Sequence, residues 1–231
     1  VYQVRGEHAS RTHYVQKLLR GSLTLDRANG SGWQHGFPHV VSIPDNVLVV
    51  CVFRNALDWM LSMHRKPWHT TRPMQKLGFS EFLRTPWQTE IGDAGYFNRN
   101  KMPRIARRPL QYDRHPLTGE VIPNVVSLRN LKTTAFLGMS NRAAQVVLVQ
   151  FEHVLGDPEG FVKMLKRRFH LEGPDHYDVG ERRLGEKFAA SVKRRPQTPE
   201  TVPDSDYTFI LNQLDLQQEA QLGYSYRSGG A

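Results

Sequence analysis

The segment Val47-Leu48-Val49-Val50-Cys51-Val52-Phe53 is an unbroken apolar run of strand length. A strand with one solvated face alternates apolar and polar residues, whereas one with no polar position is buried on both faces. Burial on both faces calls for a parallel sheet with helices above and below it, so this run by itself selects an α/β architecture. The flanking pattern agrees. Tyr2–Gly6 reads as a short strand ending on glycine, and Gln145–Phe151 as a further apolar strand. Helices are expected from Thr12 to Arg20, with Tyr14, Val15, Leu18 and Leu19 on one face, and from Leu57 to Arg65, where Pro67 prevents continuation. Others are expected over Ser80–Arg84, over Ser127–Met139, from the Asp157-Pro158-Glu159 start to Phe169, and from Asp206 to about Gly223.

The order strand, helix, buried strand, helix, insertion, strand, helix fits a doubly wound parallel sheet, whose ligands sit at the carboxyl ends of the strands. A length of 231 residues suits one domain spanning 1–231. Residues 66–123, rich in Pro, Gly, Arg and aromatics and with a hairpin expected over Pro116–Glu120, form an irregular central insertion or lid. No stretch approaches the roughly 20 apolar residues of a membrane helix. The first residues enter a strand directly, without a signal-peptide pattern. A single cysteine, Cys51, rules out an intrachain disulfide and a cysteine-based zinc site. A reducing, cytoplasmic setting is therefore expected, with allowance for an anchor removed upstream of Val1.

The formal charge of +9 favours an anionic partner. The basic groups Lys101–Arg114, Lys163–Arg168 and Arg182–Arg195 are short and separated. They accompany no zinc-finger, RNA-binding or basic-zipper signature, so no nucleic-acid partner is expected.

Two places combine residue types suited to an anion. Gly6-Glu7-His8-Ala9-Ser10-Arg11-Thr12 joins the first strand to the first helix, where backbone N–H groups and a helix N-terminus converge. Ser10 and Thr12 add hydroxyl donors, and both would serve equally as helix caps. The loop lacks the second glycine and the lysine of a nucleotide-binding P-loop. Arg54 follows the buried strand and emerges at the sheet's carboxyl edge, with Asp58 and Ser62 on the next helix. An oxyanion gripped by Arg54 could also reach Ser62; alternatively Arg54 pairs with Asp58.

The run Arg54-Asn55-Ala56-Leu57-Asp58-Trp59-Met60-Leu61-Ser62 closely resembles the 3′-phosphate motif of sulfotransferases that use 3′-phosphoadenosine 5′-phosphosulfate (PAPS). The first loop resembles their 5′-phosphosulfate loop, with Ser10 and Thr12 matching its Ser-Gly-Thr core. Trp33-Gln34-His35-Gly36-Phe37-Pro38 resembles the segment carrying the catalytic base. Val147–Asp157 and Leu214–Tyr224 resemble the family's later strand with its acidic turn and its closing helix. The resemblance covers most of the chain in the expected order. It implies a P-loop-like α/β enzyme, bacterial in type, that transfers a sulfuryl group from PAPS to a hydroxyl or amine and releases PAP without a metal. Arg54, Ser62 and the loop residues His8, Ala9, Ser10, Arg11, Thr12 and His13 would hold the donor. The family's basic residue before the loop serine and glycine after it are here Ala9 and Arg11. Arg11 or His8 is expected to supply the missing charge, and Lys193, Arg194 and Arg195 to stand in for the family's late basic loop.

The acceptor proton needs a base near neutral pKa, which suits histidine, and the resemblance singles out His35, with His8 and His13 as alternatives. Trp68, Trp87, Tyr96 and Phe97 lie in the insertion beside several arginines, a combination suited to a sugar ring with anionic substituents. Trp68 is an acceptor-side candidate, and Arg129 and Lys132, three apart on one helix face, are candidate acceptor or sulfuryl contacts. A carbohydrate or polysaccharide acceptor is expected from the resemblance. The alternatives are a P-loop nucleotide kinase, which would want Gly-Lys-Thr and a magnesium-holding Asp, and a non-catalytic basic domain that binds polyanions or nucleic acid.

Overall fold

The computed structural model describes residues 1–28, 32–91, 108–109, 113–177 and 188–227. The chain forms two compact units, one of Val1–Trp59, Lys132–Lys187 and Leu216–Ser225, the other of Met60–Leu131, Phe188–Asp215 and Tyr226–Ala231. Tyr96 and Phe97, most of the Lys101–Arg114 group and the start of the Arg182–Arg195 group lie outside the described residues.

The first unit holds a three-stranded sheet, β1 (Tyr2–Arg5), β2 (Leu48–Phe53) and β3 (Gln145–Gln150), in the order β1-β2-β3. Both pairings are parallel, with Val4 opposite Val50 and Val50 opposite Val147. The fold is therefore α/β with a parallel sheet flanked by helices. All six residues of β2 are buried, as an apolar run without polar positions requires. One face of the sheet, built from Tyr2, Val4, Leu48, Val50, Val52 and Val147, packs against helices α1 (Thr12–Ser22), α5 (Phe151–Gly156) and α6 (Pro158–Phe169). Helix α1 contributes Val15, Leu18 and Leu19, the stripe its sequence spacing predicts, each worth about 1.5–3 kcal/mol when fully buried. Helix α6 starts as expected, with Pro158 in its first turn and the Asp157 carboxylate accepting from the Gly160 N–H at 2.8 Å.

The opposite face is less uniform. In register there, Arg5 lies opposite Cys51 and Cys51 opposite Leu148. Arg5 is fully buried and donates to the Gln3 side chain at 3.2 Å, while Leu148 is 38 % exposed because β3 is the sheet's edge. Burial pushes the Cys51 thiol up to about 12, with Arg5 drawing it partly back, so this cysteine is an inert core residue.

Helices α2 (Ala56–Arg65) and α4 (Val125–Leu137) contribute residues to both units. Within the second unit, the 3₁₀ turn Met74–Lys76 and helix α3 (Phe79–Arg84) precede a turn closed by His115 N–H donating to the Glu120 carbonyl, the site of the expected hairpin. Phe82 packs edge-on against Trp87 at 5.6 Å. Asp206, fully buried, accepts from Arg84 and from Ser80, each at 2.6 Å. The single closing helix expected from the sequence is two, α7 (Asp204–Gln213) and α8 (Leu216–Gln221). Asn130 accounts for the break, donating to the Gln213 carbonyl at 2.8 Å and accepting from the Asp215 N–H at 3.1 Å. No helix among the described residues is long and apolar enough to cross a membrane.

His64 is nearly inaccessible in the second unit, between Phe79 and Phe82. Its Nε2–H donates to the Leu77 carbonyl at 3.1 Å, and its Nδ1 lies 2.8 Å from the Thr198 hydroxyl, which can serve it as donor or acceptor. Burial lowers its pKa, and the charges of Arg195 and Arg65 act in the same direction against the Leu77 contact. The unfolded chain therefore takes up this proton first, and stability falls as pH drops through about 6.5 toward the lower folded value. Thermal melts across pH 7.5 to 5 should show this loss. His64→Gln, neutral throughout, should flatten the His64 contribution in the same melts.

Candidate functional site

The first unit gathers the residues of the β1–α1 loop, the Trp33–Pro38 segment and the end of β2. Gly6 opens the loop because nothing larger fits. A Cβ there would lie 2.6 Å from the Val52 carbonyl oxygen and 2.9 Å from the Thr12 methyl. Three residues further on, the backbone turns into the left-handed region at Ala9 (φ 65°) and returns there at Arg11 (φ 64°), with Ser10 of negative φ between them. This alternation of sign is the geometry by which successive N–H groups form an anion-binding concavity. It places two side-chain-bearing residues where each costs about 1–2 kcal/mol.

Neither Ser10 nor Thr12 caps α1. Its N-cap is Arg11, which makes no side-chain cap hydrogen bond. Both residues are nonetheless buried, at 3 % and 2 % exposure.

The loop is held from the β2–α2 corner. The Trp59 indole N–H donates to the His8 carbonyl at 2.7 Å, and the Arg54 guanidinium donates to the Ala9 carbonyl at 3.3 Å. Three of the loop's own N–H groups are already engaged, Gly6 donating to the Gln34 carbonyl at 3.2 Å, His8 to the Glu7 carboxylate at 2.6 Å and Ser10 to the Glu7 carbonyl at 3.2 Å. Arg54 thus joins the loop directly, and Asp58 forms no ion pair among the described residues. Asn55 caps α2, its side chain accepting from the Leu57 and Asp58 N–H groups at 3.0 and 3.4 Å. Ser62 lies on α2 in the second unit, half-buried.

His35 sits beneath the loop at 6 % exposure. Its Nδ1 lies 2.6 Å from the Gly6 carbonyl oxygen, which can only accept, so Nδ1 carries the proton and Nε2 is the basic nitrogen. That Nε2 is 2.9 Å from the Gln34 amide nitrogen. The Gln34 oxygen in turn accepts from Gln16 and from Arg27, the latter at 3.1 Å, which fixes the amide's orientation. A proton can reach His35 Nε2 once Gln34 yields that hydrogen bond. The imidazole of His8 stacks on His35 at 4.0 Å, and Trp33 packs edge-on against both rings. His13 is exposed, its ring 6.3 Å from that of His35.

No family model, curated protein or solved structure matches the chain.

Lys132, read from the sequence as an acceptor or sulfuryl contact, is 1 % exposed and anchors the floor of this cluster. Its ammonium pairs with Glu7 at 3.1 Å, donates to the His35 carbonyl and lies 4.6 Å from the centre of the Phe37 ring. Arg129 is buried at 4 % exposure in the second unit. Trp68, also in that unit, packs edge-on against Phe188 at 5.3 Å.

Several contributors escape a sequence reading. Glu7 neutralises Lys132, Trp59 and Gln34 orient the loop and the imidazole, and Glu152 ties the corner together. One Glu152 oxygen accepts from the Asn55 N–H at 2.9 Å and the other from the Tyr224 hydroxyl at 2.8 Å. Glu152 and Tyr224 lie within the two family-like stretches, which is the one sequence signal that pointed to them. Among the described residues no three His, Cys, Asp or Glu side chains are grouped to hold a metal ion.

Two substitutions test the loop by chemical denaturation. Gly6→Ala should destabilise by about 1–3 kcal/mol, the usual cost of forcing extra volume into a packed position. Arg11→Gly should stabilise by about 1 kcal/mol through relief of the left-handed strain.

Proposed function

We propose that the chain is a PAPS-dependent sulfotransferase, acting on a hydroxyl or amine of a small-molecule or carbohydrate acceptor. The observation that carries the reading is the Arg54 guanidinium donating to the Ala9 carbonyl at 3.3 Å, within a loop whose φ signs alternate. Two stretches that resemble sulfotransferase motifs in sequence, 45 residues apart, are thereby in direct contact. The loop's alternating φ signs and the start of α1, where the N-cap makes no side-chain hydrogen bond, suit the 5′-phosphosulfate end of the donor. Arg54 suits the 3′-phosphate, for which the resemblance also names Ser62.

PAPS, when bound, supplies the sulfuryl group and departs as PAP. The chain's residues then have three tasks. The loop N–H groups not already bonded to Glu7 or Gln34, with the Ser10 and Thr12 hydroxyls, hold the charged oxygens, which lowers the barrier by fixed dipoles already in place. His35 Nε2 takes the proton from the acceptor hydroxyl as its oxygen bonds to sulfur and the bond from sulfur to the leaving phosphate oxygen breaks. A cation must face the sulfuryl oxygens where the family has a basic residue before the loop serine. Arg11 is exposed, with its guanidinium 5.9 Å from the centre of the Phe151 ring, whereas His8 stacks on His35. The reading therefore gives this task to His8.

A thermal-shift comparison of PAP with ATP and ADP tests the reading. PAP at 100 times its dissociation constant should stabilise by about 2.7 kcal/mol, and ATP and ADP should do far less. Equal or greater stabilisation by ATP would favour the kinase alternative, and DNA binding with no PAP effect the nucleic-acid alternative. His35→Asn keeps a donor for the Gly6 carbonyl and removes the base. It should lower turnover by roughly 10² to 10⁴ while retaining the PAP shift, and full activity in this variant would end the assignment.

A further inference from the structure

The second unit contains a cleft of about 640 Å³ lined by Arg72, Lys76, Ser191, Val192, Lys193 and Arg194. Four of these six residues are cations and none is an acid. All four cations are exposed, and among the described residues none of their side chains takes part in a hydrogen bond or an ion pair. Like charges gathered round one cavity repel each other, so the arrangement is costly when empty and favours whatever anion enters.

The cleft is built from anchored pieces. On one side Arg72 and Lys76 flank the 3₁₀ turn Met74–Lys76, whose Gln75 is 4 % exposed. Gln75 donates to the Thr70 carbonyl at 2.9 Å and accepts from the Ser191 N–H at 2.8 Å, which fastens the strand of chain bearing Lys193 and Arg194. That strand is fastened again at Arg195. Its guanidinium donates to the His64 and Arg65 carbonyls at the C-terminal end of α2, the latter at 2.9 Å, and lies 5.4 Å from the centre of the Phe188 ring. Trp68 supports the same Phe188. Lys193 and Arg194 are thus suspended between two fixed points, with no partner of their own among the described residues. The cavity exceeds what a single sulfate or phosphate fills, and no aromatic side chain lines it on which a nucleobase could stack. Point charges on flexible stems suit scattered sulfate or carboxylate groups.

We infer that this cleft binds the anionic groups of an acidic saccharide chain through Arg72, Lys76, Lys193 and Arg194. The anion site stands on the cleft itself; that the saccharide is the acceptor rests on the sulfuryl-transfer reading.

Isothermal titration of the full chain with a heparin octasaccharide, with its desulfated counterpart and with a single-stranded oligonucleotide of matched charge tests the inference. The sulfated octasaccharide should bind with an affinity that falls as salt rises, and the desulfated one should bind at least tenfold more weakly. The double variants K193Q/R194Q and R72Q/K76Q, all at exposed positions, should each weaken the octasaccharide at least tenfold with melting temperature unchanged, and R72Q/K76Q should keep the full PAP shift. The inference is overturned if both variants bind like the parent, if desulfation has no effect, or if the oligonucleotide binds more tightly than the octasaccharide. Loss of the PAP shift in K193Q/R194Q would overturn it too, by assigning these cations to the donor. If PAP fails to shift the parent protein while the octasaccharide binds and the variants weaken it, the sulfotransferase reading falls and the anion cleft remains.

Discussion

The first unit depends on the burial of β2 from both sides. A central strand with no polar side chain has to satisfy all its backbone groups through neighbours, and β1 and β3 do this in parallel register. Parallel pairing in turn requires crossover connections, which bring the C-terminal ends of β1 and β2 to the same edge. The loop after β1 and Arg54 after β2 therefore meet as a result of sheet topology. Gly6 sharpens this meeting, since its lack of a side chain lets the loop start against the Val52 carbonyl.

Strand and helix placement was legible where one physical rule dominated. The apolar run gave β2 its burial, the spacing of Val15, Leu18 and Leu19 oriented α1, and Asp157 before Pro158 marked the start of α6. Legibility failed where distant residues intervene. Asn130 splits the closing helix from more than 80 residues away, which no local propensity reports. Leu148 belongs to an apolar strand and is still 38 % exposed, because nothing within β3 says it lies at the edge.

The site divides in the same way. Arg54, the loop and His35 were readable from motif-like context, and the structure places all three together in the first unit. Lys132 was singled out for its helical spacing from Arg129, yet a buried carboxylate in the first loop decides its position. Ser10 and Thr12 had the composition of caps, but Arg11 in the left-handed region takes the N-cap position instead. The strain at Ala9 and Arg11 runs against residue preference, and such local conflicts gather where a loop is shaped for a ligand more than for stability.

Glu152 sets an order in time for the assembly of this region. Its carboxylate joins the Asn55 N–H, at the corner that holds the loop, to the hydroxyl of Tyr224. During synthesis the chain emerges from its N-terminal end, so β1, the loop and β2 are all made long before Tyr224. The corner next to the loop therefore waits until synthesis has passed Tyr224 before its last hydrogen bond can close. A ribosome-bound fragment ending short of Tyr224 would carry every residue of the β1–α1 loop and still lack the partner for one Glu152 oxygen.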